Sequence, residues 1–256
     1  MFRNQYDGDN TTWSPQGRIH QVEYALEAVK QGSAAVGLVS TTHAVLVCLK
    51  RAPGELAAYQ DKMLTVDGHI GCAYSGLVAD ARVLGHFMRR SAMQSRLIFT
   101  RNLPVSRLAS LVADKAQLNT QRYGRRPYGT LVNPGVGLLL AGYDSAPRLF
   151  ECLPDGNATQ YQAVAIGSRA QSCKTYLEKH LDSFDVALDQ LIVHGLKALA
   201  MSLQQDKTLT RDNCSVGFVG KDQPFTIIEG DKLAIYLEML QQPTAVAEPV
   251  TTMDTD

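Results

Sequence analysis

The chain has 256 residues and a mass of 28.0 kDa, with 45% hydrophobic and 20% charged residues, and its 25 basic residues cancel its 25 acidic ones. This composition excludes a disordered, collagen-like or coiled-coil chain, and the zero formal charge argues against a strong nucleic-acid field, leaving room for a local basic patch alone. A neutral monomer has little colloidal protection, which favours a partnered protein.

Met1 to Trp13 has no apolar core, so no secretory leader is expected. The densest apolar run, Gly135 to Tyr143, is of strand length, well short of the ~20 residues of a membrane span. Cys48, Cys72, Cys152, Cys173 and Cys214 are odd in number and widely spaced, with no CxxC. They read as free thiols of a reducing compartment, packed as small hydrophobes. The histidines show no close pair at ligand spacing, so neither a metal nor a cofactor is expected.

In chain order, residues 1–13 are polar and aperiodic. After Ser14-Pro15, the stripe Ile19, Val22, Leu26, Val29 marks a helix that Gly32 stops. Ala34–Val39 and Ala44–Leu49 read as a hairpin turning at Ser40–His43, and their unbroken apolarity predicts cover on both faces. A second pair, Met63–Val66 and Ile70–Tyr74, turns at Asp67-Gly68. Two long helices follow. One runs from Leu77 to about Leu97, with Val78, Ala81, Leu84, Gly85 and Met88 on one side. The other starts after Pro104, carries Leu108, Leu111, Val112 and Lys115 in pattern, and is ended by Tyr123–Gly129. Strands return at Val136–Gly142, Arg148–Cys152 and Ala163–Ile166, then helices at Arg169–Leu181 and Val186–Leu203. Strands Ser215–Val219 and Phe225–Ile228 and a helix at Lys232–Leu240 close the pattern, and Pro243–Asp256 reads as a disordered acidic tail. Hairpins with helices arriving in pairs are not the alternation of a Rossmann fold or a βα barrel. Two packed sheets between helical layers satisfy the order best.

Short catalytic and phosphate-binding motifs are absent, and Gly135-Val136-Gly137 leads into a strand where a phosphate loop leads into a helix. Arg122, Arg125 and Arg126 cluster around Tyr123 and Tyr128. Such a cluster can stack on RNA bases, or hold a loop through arginine bonds to carboxylates and backbone; the neutral chain favours the second. Ser33 opens the first strand and could be a nucleophile, but composition supplies it no base.

Tyr6-Asp7 followed by Ser14-Pro15-Gln16-Gly17-Arg18-Ile19-His20-Gln21-Val22-Glu23-Tyr24-Ala25 resembles the N-terminal signature of proteasome alpha-type subunits. Further matches are Gly71 to Arg82, Gln121 to Gly129, Leu139 to Asp144, and Ala165-Ile166-Gly167, so the resemblance spans about residues 4–240. Among the alpha types, Met1 to Asp7 and Tyr123 to Gly129 are most similar to type-1, the sixth ring position.

The resemblance implies an α+β fold, the four-layer αββα sandwich of the N-terminal-nucleophile hydrolases, with an added N-terminal helix. It implies a gating extension over 1–13, a single domain over 14–241 and the tail over 242–256. It also implies a non-catalytic subunit of the 20S core that takes part in substrate gating, ring assembly and cap docking in ubiquitin-dependent protein degradation. The implied partners are six other alpha subunits, the beta ring and regulatory caps such as the 19S particle, in cytoplasm and nucleus, with no nucleic acid or membrane. Catalytic beta subunits use an N-terminal threonine whose own amine is the base, supported by an aspartate and a lysine. Ser33, Leu49 and Lys62 match those three positions here, so the amine is blocked and the carboxylate lost. The family pattern assigns gating to Tyr6, Asp7, Pro15 and Tyr24, and docking of an activator's C-terminal carboxylate to Lys62 with Gly76 and Leu77. Assembly falls to Asp80, Arg82, Arg122, Arg125 and Arg126. Two competing readings are a hydrolase using Ser33 and an RNA binder using the arginine cluster.

One departure stands out. Thr130-Leu131-Val132-Asn133-Pro134-Gly135 intervenes where relatives run almost directly into the next strand. Asn-Pro-Gly is a turn signal, and apolar Leu131 or Val132 is expected to pack on its own domain or on a neighbouring subunit.

Overall fold

The computed structural model describes residues 5–8, 10–121, 135–204 and 207–241. The arginine cluster at 122–126, the insertion up to Pro134 and the tail from Gln242 lie outside the described residues.

The first helix, α1 (His20–Gln31), starts later than the Ser14-Pro15 signal promised. Residues 14–18 instead form a turn: the Arg18 amide donates to Ser14 Oγ, and the Ser14 amide donates to the Arg18 carbonyl. Strands β1 (Ala35–Val39) and β2 (His43–Leu49) form the expected hairpin, as do β3 (Met63–Asp67) and β4 (Ile70–Gly76). The second turn sits one residue later than expected, because Asp67 remains in the strand and its Oδ1 accepts the Gly68 amide at 2.7 Å. Helices α2 (Val78–Phe99) and α3 (Val105–Gln121) follow. Then come β5 (Val136–Tyr143), β6 (Pro147–Cys152), β7 (Ala158–Tyr161) and β8 (Ala163–Ile166). Helix α4 (Ala170–Lys179) stops short of Leu181, which belongs to a separate 3-10 turn. The chain ends with α5 (Leu188–Ala200), β9 (Cys214–Gly220), β10 (Gln223–Ile228) and α6 (Asp231–Gln241).

Among the described residues the strands make two antiparallel five-stranded sheets, ordered β10-β9-β2-β1-β8 and β3-β4-β5-β6-β7. The period-2 geometry of a strand explains the continuous apolar runs. In β2, Val45, Val47 and Leu49 pack with Leu191, Ile192 and Leu196 of α5, while Ala44, Leu46 and Cys48 pack with Ala73, Leu139 and Leu149 of the other sheet. The outer face of that second sheet packs Cys72, Tyr74, Leu138 and Leu140 against α2 and α3. The layers are therefore helices, sheet, sheet, helices, with α1 added across the end of β4 and β5.

Candidate functional site: a nucleophile position built shut

The mouth of the sandwich is where β1 begins and where β4 and β8 end. Ser33 lies there, 3% exposed, its amide joined to Gly32 at the end of α1. Among the described residues its Oγ has no hydrogen-bond partner, so no described imidazole, carboxylate or amine activates it. Leu49 stands in the helix-facing core, where the matching pattern asks for an aspartate.

The end of α1 is locked into this mouth. Ser75 Oγ lies 2.9 Å from the Val29 carbonyl and 3.1 Å from that of Ser33, its hydroxyl proton shared between them. The Ser168 amide donates to the Gly32 carbonyl at 2.8 Å. Gly32 is not the left-handed helix terminator its position suggests, since its φ is −63°. It is small because a Cβ would collide with Ser75 Oγ and the Gly76 amide nitrogen. Gly76 has φ 114° and lies against the Gly135 carbonyl, so both space and conformation require glycine there.

Lys62 is 5% exposed, which rules out a solvated strand-edge lysine. Its ammonium sits 5.0 Å from the centroid of the Tyr74 ring. Burial pushes its pKa down, and the nearby Cys48 opposes that. Tyr74 in turn donates its hydroxyl to the Asp61 carbonyl at 2.6 Å. All five cysteines are free and buried, and burial pushes their thiols up, so none is a reactive thiolate.

The N-terminal segment is tied down at both ends. Buried Asn10 donates Nδ2 to the Asn119 carbonyl near the end of α3, 3.0 Å away. Gln21 of α1 donates its side-chain amide to the Asp7 carbonyl. Arg18 clamps Glu23 with two hydrogen bonds of 2.6 Å, which raises the guanidinium and lowers the carboxylate.

The sequence that folds into this sandwich matches known protein families. A "Proteasome subunit" family model covers residues 29–219, and a model of the N-terminal signature of A-type proteasome subunits covers residues 6–28. The chain belongs to the proteasome subunit family, as an alpha-type member. It is 54% identical over 242 residues to a probable proteasome alpha type-6 subunit of Schizosaccharomyces pombe, covering 94% of this chain and 87% of the relative. It is 52% identical over 249 residues to the proteasome alpha type-1 subunit of Dictyostelium discoideum, covering 96% and 98%. It is 53% identical over 241 residues to the proteasome alpha type-6 subunit of Saccharomyces cerevisiae, covering 93% and 100%.

As an alpha-type proteasome subunit the chain is a non-catalytic member of the 20S core, partnered with other ring subunits, and the blocked Ser33 gives the chemical reason for its inactivity. The gating candidates sit on and before α1. Pro15 is exposed in the 14–18 turn, and Tyr24 is 50% exposed, stacked on His20 at 6.2 Å. Tyr6 is exposed, and Asp7 is engaged through its carbonyl. The docking candidates divide: Lys62 is buried over Tyr74, whereas Leu77 is exposed just after Gly76, at the start of α2. Asp80 Oδ2 accepts the Gly135 amide at 3.1 Å, while the Leu77 amide donates to the Gly135 carbonyl at 2.9 Å, so α2 grips the residue that leads into β5. Arg82 is exposed; burial pushes the Tyr74 phenol up and Arg82 opposes it. Arg122, Arg125 and Arg126 lie outside the described residues.

Sequence reasoning missed Ser75 as the lock and Asn10 as the anchor. Ser75 sits in a run of small residues and Asn10 in a polar stretch, and neither carries a periodic signal. Among the described residues no helix is long and apolar enough to cross a membrane.

Proposed function

We propose that this chain occupies the alpha type-1 position, sixth in the ring, of a 20S core acting in ubiquitin-dependent protein degradation. In this reading residues 1–13 serve as part of the axial gate, 14–241 as one domain and 242–256 as a free tail. The partners are six other alpha subunits, the beta ring and regulatory caps such as the 19S particle, in cytoplasm and nucleus, without nucleic acid or membrane. The observation that carries the gating role is the N-terminal signature over residues 6–28, on a segment tied to both α1 and α3. A proline pre-sets its backbone angle in the 14–18 turn, and a tyrosine hydroxyl paired with a carboxylate can pin one loop state. Lys62, Gly76 and Leu77 serve an activator's C-terminal carboxylate, and a buried ammonium with no carboxylate ion pair among the described residues supports that role. Asp80, Arg82, Arg122, Arg125 and Arg126 serve assembly.

Tyr24→Phe tests the gate. Cap-stimulated peptide hydrolysis by the purified core falls, while ring assembly on a native gel is unchanged. Full stimulation in the variant overturns the assignment of Tyr24.

A further inference from the structure

Helices α4 and α5 meet at a cluster of rings that neither the blocked cleft nor the gating segment uses. Tyr176 lies in the last turn of α4, His180 caps it, Phe184 follows the 3-10 turn Leu181–Ser183, and His194 stands in the middle of α5. Tyr176 and His180 stack at 4.2 Å, their planes 24° apart. His194 faces both, its centroid 6.0 Å from that of His180 and 6.4 Å from that of Tyr176, and Phe184 packs edge-on against it at 5.8 Å. Phe184 is buried and the other three are half-buried. These rings close the connection between the two helices.

Hydrogen bonds orient both imidazoles. His180 Nδ1 donates to the Tyr176 carbonyl at 2.8 Å, and His194 Nδ1 shares one hydrogen with Tyr176 Oη at 3.2 Å. Burial pushes the Tyr176 phenol up, so it is a neutral hydroxyl and offers no anion to a charged ring.

The ionisable groups nearest His194 carry positive charge or none. Lys197 lies one turn further along α5, and α4 brings His180. Gly195 packs on Leu38 of β1 and Val47 of β2, and the one titratable group of β2 outside its thiol is His43 at its start, bonded to Thr42 and Gln223. The carboxylates of the adjoining segments are engaged elsewhere or in solvent. Asp185 accepts the Thr41 hydroxyl, Asp189 accepts that of Tyr236 on α6 beside Lys232, and Glu178 and Asp182 are exposed. Of the α4 lysines, Lys174 acts on Glu151 and Lys179 is exposed. Burial, then Lys197, then His180 push the His194 pKa down. A proton on His194 therefore opposes the packed arrangement and favours parting of the helices.

We propose that Tyr176, His180, Phe184 and His194 form an acid-sensitive latch: with His194 neutral the rings hold the connection between α4 and α5 shut, and protonation of His194 opens it. A folded pKa below the ordinary imidazole value adds stability above that value, and the contribution is lost as pH falls through the folded pKa. The opening is local, because Leu191, Ile192 and Leu196 hold α5 on the sheet through an apolar face that does not titrate.

Hydrogen–deuterium exchange of the assembled core, followed by mass spectrometry, reads the latch. Labelling spans about pH 8 to about pH 5, where imidazoles titrate, with times scaled for the intrinsic pH dependence of exchange. Peptides covering residues 176–190 are expected to exchange severalfold faster at the acid end, while those of β5 stay protected throughout. His194→Gln keeps a hydrogen-bonding side chain that cannot be charged, and its exchange no longer responds to pH. Lys197→Gln removes one like charge without altering a ring, and moves the midpoint of the response to higher pH. Protection of 176–190 that is the same at every pH overturns the proposal. So does a response that survives in His194→Gln, or one that rises equally in β5. Where the His194 variant fails to enter the core, an unmoved midpoint in Lys197→Gln overturns the proposal by itself.

Discussion

Ser75 does at this cleft what a catalytic group would do elsewhere: it fills the mouth and fixes its neighbours. Its hydroxyl serves the Val29 and Ser33 carbonyls, both deep in the junction. Ser75→Ala leaves buried acceptors short of a donor, at a cost of about 1–3 kcal/mol. Wild-type and variant chains competing for incorporation into the core will show the variant under-represented, while peptide cleavage by the rings that form is unchanged; equal incorporation would refute the lock. Glu151 offers a second test, through pH. Burial pushes its carboxyl up, against Lys174 and a hydrogen bond with Tyr161. A carboxyl whose folded pKa is raised favours the fold when protonated, and that contribution is lost as pH rises through the folded pKa. Glu151→Gln therefore raises the thermal midpoint at neutral pH, and the gain disappears in acid below the ordinary carboxylate range. A gain that grows on acidification would contradict the sign.

Elements whose residues bury a stripe or an alternating face were legible in the sequence. In α2, Ala81, Leu84, Gly85 and Met88 are buried at the spacing the sequence shows, and all of β5 but its last residue is buried. β7 was missed because Ala158-Thr159-Gln160-Tyr161 is an edge strand with three exposed residues, held by pairing to β6 alone, so it has no apolar signature. α1 was placed too early because the Ser-Pro signal serves the 14–18 turn before it serves a helix. Among the candidate residues, the fate of Ser33 and Leu49 could be read from their matched positions. The burial of Lys62 could not, because Lys62 precedes β3 while the Tyr74 ring it lies against belongs to β4. The insertion can be tested at this scale. Deleting residues 130–135 brings Gly129 next to Val136, so a glycine still meets Asp80 and Leu77 at the start of β5. A loop change of this size costs little closure entropy. The deleted chain is expected to fold with an unchanged thermal midpoint; a shift of more than about 5 °C, on the order of 1–2 kcal/mol for a chain this long, would show that the insert packs into its own domain.

In the whole molecule, two sheets form the sandwich of a hydrolase family, and a retained N-terminal helix occupies the position from which catalysis would start. A hydroxyl nucleophile of this class needs a free α-amine as its base, and that amine appears only when the preceding chain is removed. Here the preceding chain is structural: α1 is bonded through Ser75, Gly32 and Ser168. Keeping it leaves Ser33 without a free amine and the protein inert. Intact-mass spectrometry of this chain, recovered from the purified 20S core, tests the retained helix most directly. The expected mass includes α1 and the residues before it. A chain beginning at Ser33 would contradict it.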